Sequence, residues 1–423
     1  MSLTEAETRY QTSVHQHLRR NFLIVLVHGL FGQTGFRLIN APTFMPAYIM
    51  LLSGGSDLAV GIALSLQSIG MCLTPLISAN LIEHRPRVLF VNFFTGGGMR
   101  LMVLGLGLAG LLLPPHLALY AIFFFLLMFG LFNGMQSVIF SYLMSKIIPV
   151  ERRGRLTGLR NFLAGLTAAS VAYFSGHFFL GEQPDASGYS YTFILAFALT
   201  MIGLTMTMFI KEPVPPSVRT RTGLMTRVKE IPALLRSDMN FTWFFLARSM
   251  TMLGRMAVPF YILFAGQSIG LTGETLGIIT VIFALSGTSS NLFWGWLADQ
   301  RGFRLTALCS LSLWIVSTLL LMQSDNLVMI AFVFAGLGAA LQGFMQASHN
   351  LTLEFGQHDD LPMRIAIANT ASELAGALGP ILGGILAMIY GYTVVFYISM
   401  LCFLIGGLVL IIRVPEPRYI RRN

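Results

Sequence analysis

A chain of 423 residues that is 55% hydrophobic and 11% charged, with a mean hydropathy of +0.72, lacks the roughly 25% of charged residues usual in a soluble protein. Its formal charge of +9 does not call for nucleic acid, because the cations fall mainly between long apolar runs. Cys72, Cys309 and Cys402 lie singly in separate apolar runs, which excludes a disulfide framework or metal-ligand spacing and leaves them as small packing residues.

Residues 1–20, MSLTEAETRYQTSVHQHLRR, are polar and lack the basic-then-apolar start and small-residue cleavage site of a secretory leader. They read as a cytoplasmic tail, with the first apolar run as the insertion signal. Twelve such runs follow, starting near Asn21, Leu58, Val88, Leu117, Leu156, Tyr191, Asn240, Thr275, Leu305, Asn326, Ile365 and Thr393. Each is about 20 residues long, enough to cross a hydrocarbon core about 30 Å thick. The pattern predicts an all-α polytopic membrane protein with 12 transmembrane helices.

Lysine and arginine set the orientation. They gather in the N-terminal tail, in EHRPR (83–87), KIIPVERRGR (146–155), the connector 211–239, DQRGFR (299–304) and RVPEPRYIRRN (413–423), with Arg160 counted at the base of the fifth span. The opposite loops GEQPDASGYS (181–190) and GQSIGLTGET (266–275) hold none. Both termini are therefore expected to be cytoplasmic, in a plasma membrane of the bacterial inner-membrane kind.

Residues 212–239 are the long polar interior segment. Prolines open it, and Leu224, Val228, Ile231 and Leu235 then recur at helical spacing, predicting an amphipathic helix on the inner membrane surface. The linker divides a bundle over 21–211 from a second over 240–413, and 414–423 forms another cytoplasmic tail. The halves resemble one another. Asn21-Phe22 and Asn240-Phe241 open spans 1 and 7, an offset of 219 residues. Gly61 precedes Glu83, and Gly277 precedes Asp299, by the same 22 residues, while Gly134–Arg155 and Gly343–Arg364 share a spacing of 21. The preserved order argues for an internal repeat, hence two pseudo-symmetric six-helix bundles.

Two such bundles joined by a cytoplasmic connector resemble the major facilitator superfamily along the whole chain. The most specific support is GWLADQRGFR (295–304), similar to that family's signature of glycine, three residues, aspartate, two residues, glycine, one residue, arginine. Gly295, Asp299, Gly302 and Arg304 fill those places. The first-half counterpart keeps Glu83, Arg85 and Arg87 but has Ala79 and Pro86 where the family has glycine. The resemblance implies parallel repeats about an axis along the membrane normal, a substrate site between them near mid-membrane, alternating access, and a monomer. It also implies a cytoplasmic gate at Gly295, Asp299, Gly302 and Arg304 with Glu83, Arg87, Arg155 and Arg364. There a carboxylate would pair with arginines and a helix N-terminus in one conformation and release them in another; the plain alternative is a solvated turn.

Arg37, Arg100, Arg248 and Arg255 lie inside spans. Ionisable groups at such depth cost at least about 2.5–3.5 kcal/mol each and therefore face a cavity or a partner. Arg248 and Arg255, seven positions apart, share one face of a continuous helix. In the family, spans 1, 4, 7 and 10 line the cavity, so the resemblance puts Arg37, Arg248 and Arg255 there and leaves Arg100 peripheral and structural. Glu373 is the one carboxylate well inside a span and cannot neutralise three arginines. The surplus points to an anionic or zwitterionic substrate held by Arg37 and Arg255, with Arg248; the alternative is arginines paired with carbonyls or carboxylates.

Glu373 reads either as a proton carrier, its pKa raised by desolvation, or as a permanent partner of an arginine. His28 is a second group able to titrate, although a lone histidine is more often a neutral hydrogen-bonding residue. Polar stripes at Gln342, Gln346, His349 and Asn350 in span 10, at Asn133 and Gln136 in span 4, and at His28, Gln33 and Asn40 in span 1 either line a water-filled path or hold helices together. ALGPILGG (377–384) resembles the glycine-proline motif of superfamily antiporters, yet it lies in span 11 rather than span 5 and also reads as close packing.

The sequence contains no Gly-x4-Gly-Lys-Ser/Thr loop for ATP. The nearest titratable cluster, His358, Asp359 and Asp360, is one loop without partners at ligand spacing. The expectation is thus not an enzyme but a secondary active transporter, proton-coupled, without cofactor or metal. Its partners would be a small-molecule substrate, protons and the lipid bilayer, not nucleic acid. A proton-coupled exporter of drugs or lipid-like amphiphiles is the alternative, motivated by 34 Phe and 23 Met that suit an adaptable site. A sensor on the same fold, binding without flux, is a third reading.

Overall fold

The computed structural model describes residues 3–74, 78, 81–82, 85–215, 235–236, 238–355 and 361–416, the stretch 361–373 by its helix alone. Glu83, the side chains of Arg364 and Glu373, the loop 356–360 and the amphipathic stretch of the connector therefore lie outside the described residues.

The first span is built from three helices, α1 (Leu3–Gly32), α2 (Thr34–Asn40) and α3 (Phe44–Leu52). Helix α1 already starts at Leu3, so the polar tail forms its first turns; Glu, Ala, Gln and Arg there are good helix formers. The breaks have local causes. Gly32 ends α1, and Pro42, which has no N–H to give, separates α2 from α3. The half then continues with α4 (Asp57–Leu73), α5 (Leu89–Leu112), α6 (Pro115–Ile147), α7 (Val150–Ser175) with a π turn at Gly176–Leu180, and α8 (Ala186–Thr207). Asp185 caps α8 by accepting the Gly188 N–H at 2.9 Å.

The seventh span is also broken. Helix α9 (Met239–Gly254) passes through a 3₁₀ turn, Arg255–Ala257, into α10 (Val258–Ile269). The cause is Pro259, whose ring cannot coexist with an ordinary helical carbonyl four residues back, at Arg255; Val258 N–H takes that carbonyl instead. The continuous helix read from the sequence through Arg248 and Arg255 is corrected accordingly. The second half continues with α11 (Gly273–Arg301), α12 (Phe303–Leu321), α13 (Leu327–Glu354), α14 (Leu361–Tyr390) and α15 (Tyr392–Arg413). Among the described residues nine helices are long and apolar enough to cross a membrane, and Asp57–Cys72 and Leu374–Tyr390 are shorter apolar helices. With the broken seventh span these correspond to the twelve predicted.

Within the first half, α4 packs on α6, α5 on α6 and α8, and α1 on α7 and α8; in the second, α9 packs on α14 and α15, and α13 on α11 and α12. Two pairs join the halves, α4 with α14 and α7 with α11. Exchanging the halves converts one pair into the other, which is the signature of a two-fold relation. The repeat glycines sit at these seams. Gly61 meets the Pro380 carbonyl of α14, and Gly277 meets the Ala172 carbonyl and Gly176 of the other pair. Gly134 and Gly343 likewise take equivalent places, against α4 and against Trp294 of α11.

The contacts between halves are tightest on the side away from the chain termini. There the Tyr392 hydroxyl donates to Asp57 Oδ1 (2.6 Å), Thr43 and Thr280 share a hydrogen bond (2.6 Å), and Ile381 N–H donates to Ser65 Oγ (3.0 Å). Gly273 N–H reaches the Gly181 carbonyl at 2.7 Å. The GPILGG stretch is part of this closure: Gly383 lies against Met256 and Phe260, and Gly384 against Asp57 and Gly61. The molecule is closed at the far side.

Candidate functional site

The site begins at the broken first span. Arg37, on the short α2, donates from Nη2 to the Asn161 carbonyl of α7 (3.1 Å). Its Nη1 lies beside Gly165, where a Cβ would be 3.6 Å from it and 2.6 Å from Thr288 Oγ1 of α11. Arg37 therefore stands where α2, α7 and the opposite half's α11 meet. Its Nε is buried with no acceptor among the described residues, and no described carboxylate touches it.

Arg160 belongs to the same place. The sequence reading put it at the base of the fifth span as an orientation signal; the structure corrects this. Its stem crosses α1 at Gly29, where any side chain would overlap its Cγ. The guanidinium rests over the Phe140 ring, 4.8 Å from its centroid. The Gln33 amide, set with its oxygen toward the guanidinium, accepts from Nη2 (2.9 Å) and Nε (2.7 Å). Arg160 lies within electrostatic range of Arg37. No motif marks this role; the available signal was Gly29, Gln33 and Arg37 recurring at helical spacing on span 1.

His28, only 5% exposed, stacks on the same Phe140 with ring centroids 5.0 Å apart. Neither ring nitrogen has a partner among the described residues. Asn40 is exposed and accepts from Gln67 at 2.9 Å.

Arg100 is different. At 1% exposure it donates to the carbonyls of Thr200 (2.7 Å), Gly96 (2.8 Å) and Gly32 (3.3 Å), tying α5 to α1 and α8. Helical carbonyls have a spare lone pair, so the cation is solvated by backbone and serves packing.

In the second half, Arg248 donates to Thr352 Oγ1 of α13 (3.1 Å) and lies within electrostatic range of the exposed His349. Arg255 opens the 3₁₀ turn and donates to Met252 Sδ (3.4 Å). No described contact joins either to Arg37. Gln342 and Gln346 lie along α11 beside Gly287 and Gly295, so that stripe forms part of a helix contact. In span 4, Gln136 is spent on Asn92 (2.9 Å) and Thr95 (2.7 Å) of α5, and Asn133 donates to Met71 Sδ of α4 (3.4 Å). Neither side chain's described bonds reach Arg37 or Arg160.

The signature loop is tied within its own half. Gly302, at φ +91°, leaves room for the Glu416 carboxylate, which accepts the Arg304 backbone N–H (3.0 Å). The Arg304 guanidinium caps the end of α15 through the carbonyls of Leu410 (3.0 Å) and Ile411 (2.6 Å). Asp299, Arg87 and Arg155 are exposed. The first half repeats the device with a residue the sequence reading passed over. Glu212 accepts Val88 N–H (2.8 Å) and Leu89 N–H (2.9 Å) at the start of α5 and forms a buried ion pair with Lys146. The overlooked signal is the Glu-Pro dipeptide after each sixth span, 212–213 and 416–417.

Comparison with known proteins finds likenesses in part of the sequence and in the fold. A sequence model of the Major Facilitator Superfamily matches residues 244–423. The multidrug resistance protein MdtG of Salmonella paratyphi A is 26% identical over 187 residues, 42% of this chain and 45% of that protein. The MdtG of Enterobacter lignolyticus is 27% identical over 187 residues, 42% and 44%. The chain thus matches less than half the length of these relatives. The nucleoside transporter NupG superposes with a TM-score of 0.74 at 13% identity, over 92% of this chain and 98% of that one. A D-xylose-proton symporter does so with 0.71 at 14%, over 94% and 98%. At such identities the likeness is one of fold.

Proposed function

We propose, from a fold shared with solved transporters and a match to the Major Facilitator Superfamily sequence model over residues 244–423, that the chain is a secondary active transporter of a small anionic or zwitterionic organic solute. The two halves rock about the seams α4–α14 and α7–α11, exposing a central site to either side in turn. The observation that carries the reading is Arg37: a guanidinium at the junction of the halves, bound to a backbone carbonyl, with an unspent donor and no described carboxylate. A cation so placed gains most when a negative group arrives. Arg255, at the break in the pseudo-equivalent span, and Arg248 are its proposed counterparts across the cavity. Broken helices at matching positions of two repeats are where transporters of this architecture put substrate.

Glu373 and His28 are the proposed proton-linked groups, and the plasma membrane, with both termini cytoplasmic, is the proposed location. Gly295, Asp299, Gly302 and Arg304 act with Glu416 as the terminus-side strut of the moving half. Export of drugs or amphiphiles is the second reading, favoured by the likeness to a protein named for multidrug resistance.

The test is flux in proteoliposomes with and without an imposed proton gradient, over organic anions, cations and neutral amphiphiles. Anion flux driven by the gradient, lowered at least about tenfold in Arg37→Gln as expected for one lost charge-assisted hydrogen bond, supports the reading. Flux of cations or bulky neutral compounds that Arg37→Gln leaves intact makes the arginines structural and favours the exporter.

A further inference from the structure

We propose that Arg37 and Arg160 form a two-guanidinium clamp in the first half for a doubly charged tetrahedral oxyanion, a phosphate-monoester or sulfate type of group. This rests on the anion reading above and narrows it to one pair of residues and one ligand chemistry.

The two arginines approach one another from different helices of the first half. Arg37 comes from α2 and spans Asn161 to Gly165 on α7. Arg160 comes from α7 and reaches back over Gly29 to Gln33, between α1 and α2 and four residues before Arg37. They lie within electrostatic range of each other. Two like charges in a low-dielectric interior repel, and such a pair persists where something else over-determines it or where a counter-charge arrives.

No carboxylate among the described residues meets either one. What holds them is neutral: a carbonyl, an amide oxygen and an aromatic face. A buried donor remains unspent at Arg37 Nε, and the hydrogen bonds from Arg160 to Gln33 use its Nη2 and Nε. Two charges in one place ask for a dianion.

Shape narrows the choice further. A guanidinium presents a planar fork of N–H groups that matches an edge between two oxygens. A single carboxylate has one such edge and satisfies one fork. A phosphate monoester or a sulfate offers several edges at an angle to one another, so it can take two forks arriving from two helices. Gly29 is the residue that permits the arrangement, since a methyl group there would collide with the Arg160 stem.

The test uses the purified full chain and four probes at matched ionic strength: sulfate, inorganic phosphate, succinate and acetate. Binding is read by thermal shift and by calorimetry. Sulfate should stabilise at both acidic and alkaline pH, whereas phosphate should stabilise more at alkaline pH, where it has lost its second proton. Arg160→Gln and Arg37→Gln should each weaken sulfate by about tenfold or more, the loss expected for a charge-assisted hydrogen bond. Gly29→Ala, which keeps every charge and displaces the stem, should weaken it too, and Arg160→Lys should fall between. Arg152→Gln, at an exposed position near the start of α7, should leave it unchanged.

If Arg37→Gln abolishes anion binding and Arg160→Gln, folded by gel filtration, does not, the clamp is wrong and the anion transporter stands. Should neither substitution matter, both readings fall. Acetate or succinate stabilising as well as sulfate rejects the tetrahedral dianion, as does stabilisation by none of the four.

Discussion

Arg37, Arg100, Arg160, Arg248 and Arg255 sit inside spans, and their surroundings give them different work. Arg100 is consumed by three carbonyls and fastens α5 to its neighbours. Arg37 keeps an unspent donor at the junction of the halves, and Arg160 lies within electrostatic range of it in the first half. The residue type is the same in each; what differs is how many acceptors the fold brings within reach. The Lys146–Glu212 pair makes the same point for buried charge. Removing one partner should cost about 3–5 kcal/mol, because the other is stranded without a counter-charge. We expect Lys146→Met and Glu212→Gln each to lower the melting temperature strongly. The double variant should lose much less than the sum of the two, which a double-mutant cycle reads directly; additive losses would show that the two residues act independently.

At the scale of the element, the broken spans carry the argument. Pro259 turns the seventh span at Arg255, and Pro42 with Gly32 breaks the first around Arg37. Each break costs helix hydrogen bonds and puts irregular backbone deep in the bundle, which is tolerated where it lines a cavity or is buried in protein. Pro259→Ala restores a backbone donor and removes the clash with the Arg255 carbonyl. The expected outcome is a protein with a raised melting temperature and slowed transport, measured on the same preparation. Unchanged transport would mean that the break at Arg255 is not needed for movement.

At the scale of the whole molecule, the far side is held shut by glycines that let backbones touch and by a few cross-half hydrogen bonds. Gly61 against Pro380 and Gly277 against Ala172 are equivalent places in the two seams, while Asp57–Tyr392 and Thr43–Thr280 add polar contacts. A branched side chain at Gly61 has backbone in its way, so Gly61→Val should force the far side apart. With Cys72, Cys309 and Cys402 replaced, a cysteine at Thr280→Cys should react faster with a membrane-impermeant maleimide in the Gly61→Val background. Equal rates would show that this seam does not set the closure.

Hydrophobic run length, the distribution of lysine and arginine, and glycine spacing were enough to read a twelve-span chain in two related halves, and the repeat pairs Gly61/Gly277 and Gly134/Gly343 occupy equivalent packing positions. These are properties of one chain against a bilayer or of its own periodicity, and a linear sequence records them. It also records Pro259, whose consequence for Arg255 is local. What tertiary structure decided was which polar atoms meet across helices: Arg160 turned inward over Gly29, Gln136 spent on Asn92 and Thr95, and Glu212 and Glu416 seated at helix starts far away in sequence. Such pairings join residues more than forty positions apart, and nothing in the local pattern of either partner specifies the other. Charge in this protein is written in the sequence, but its use depends on packing.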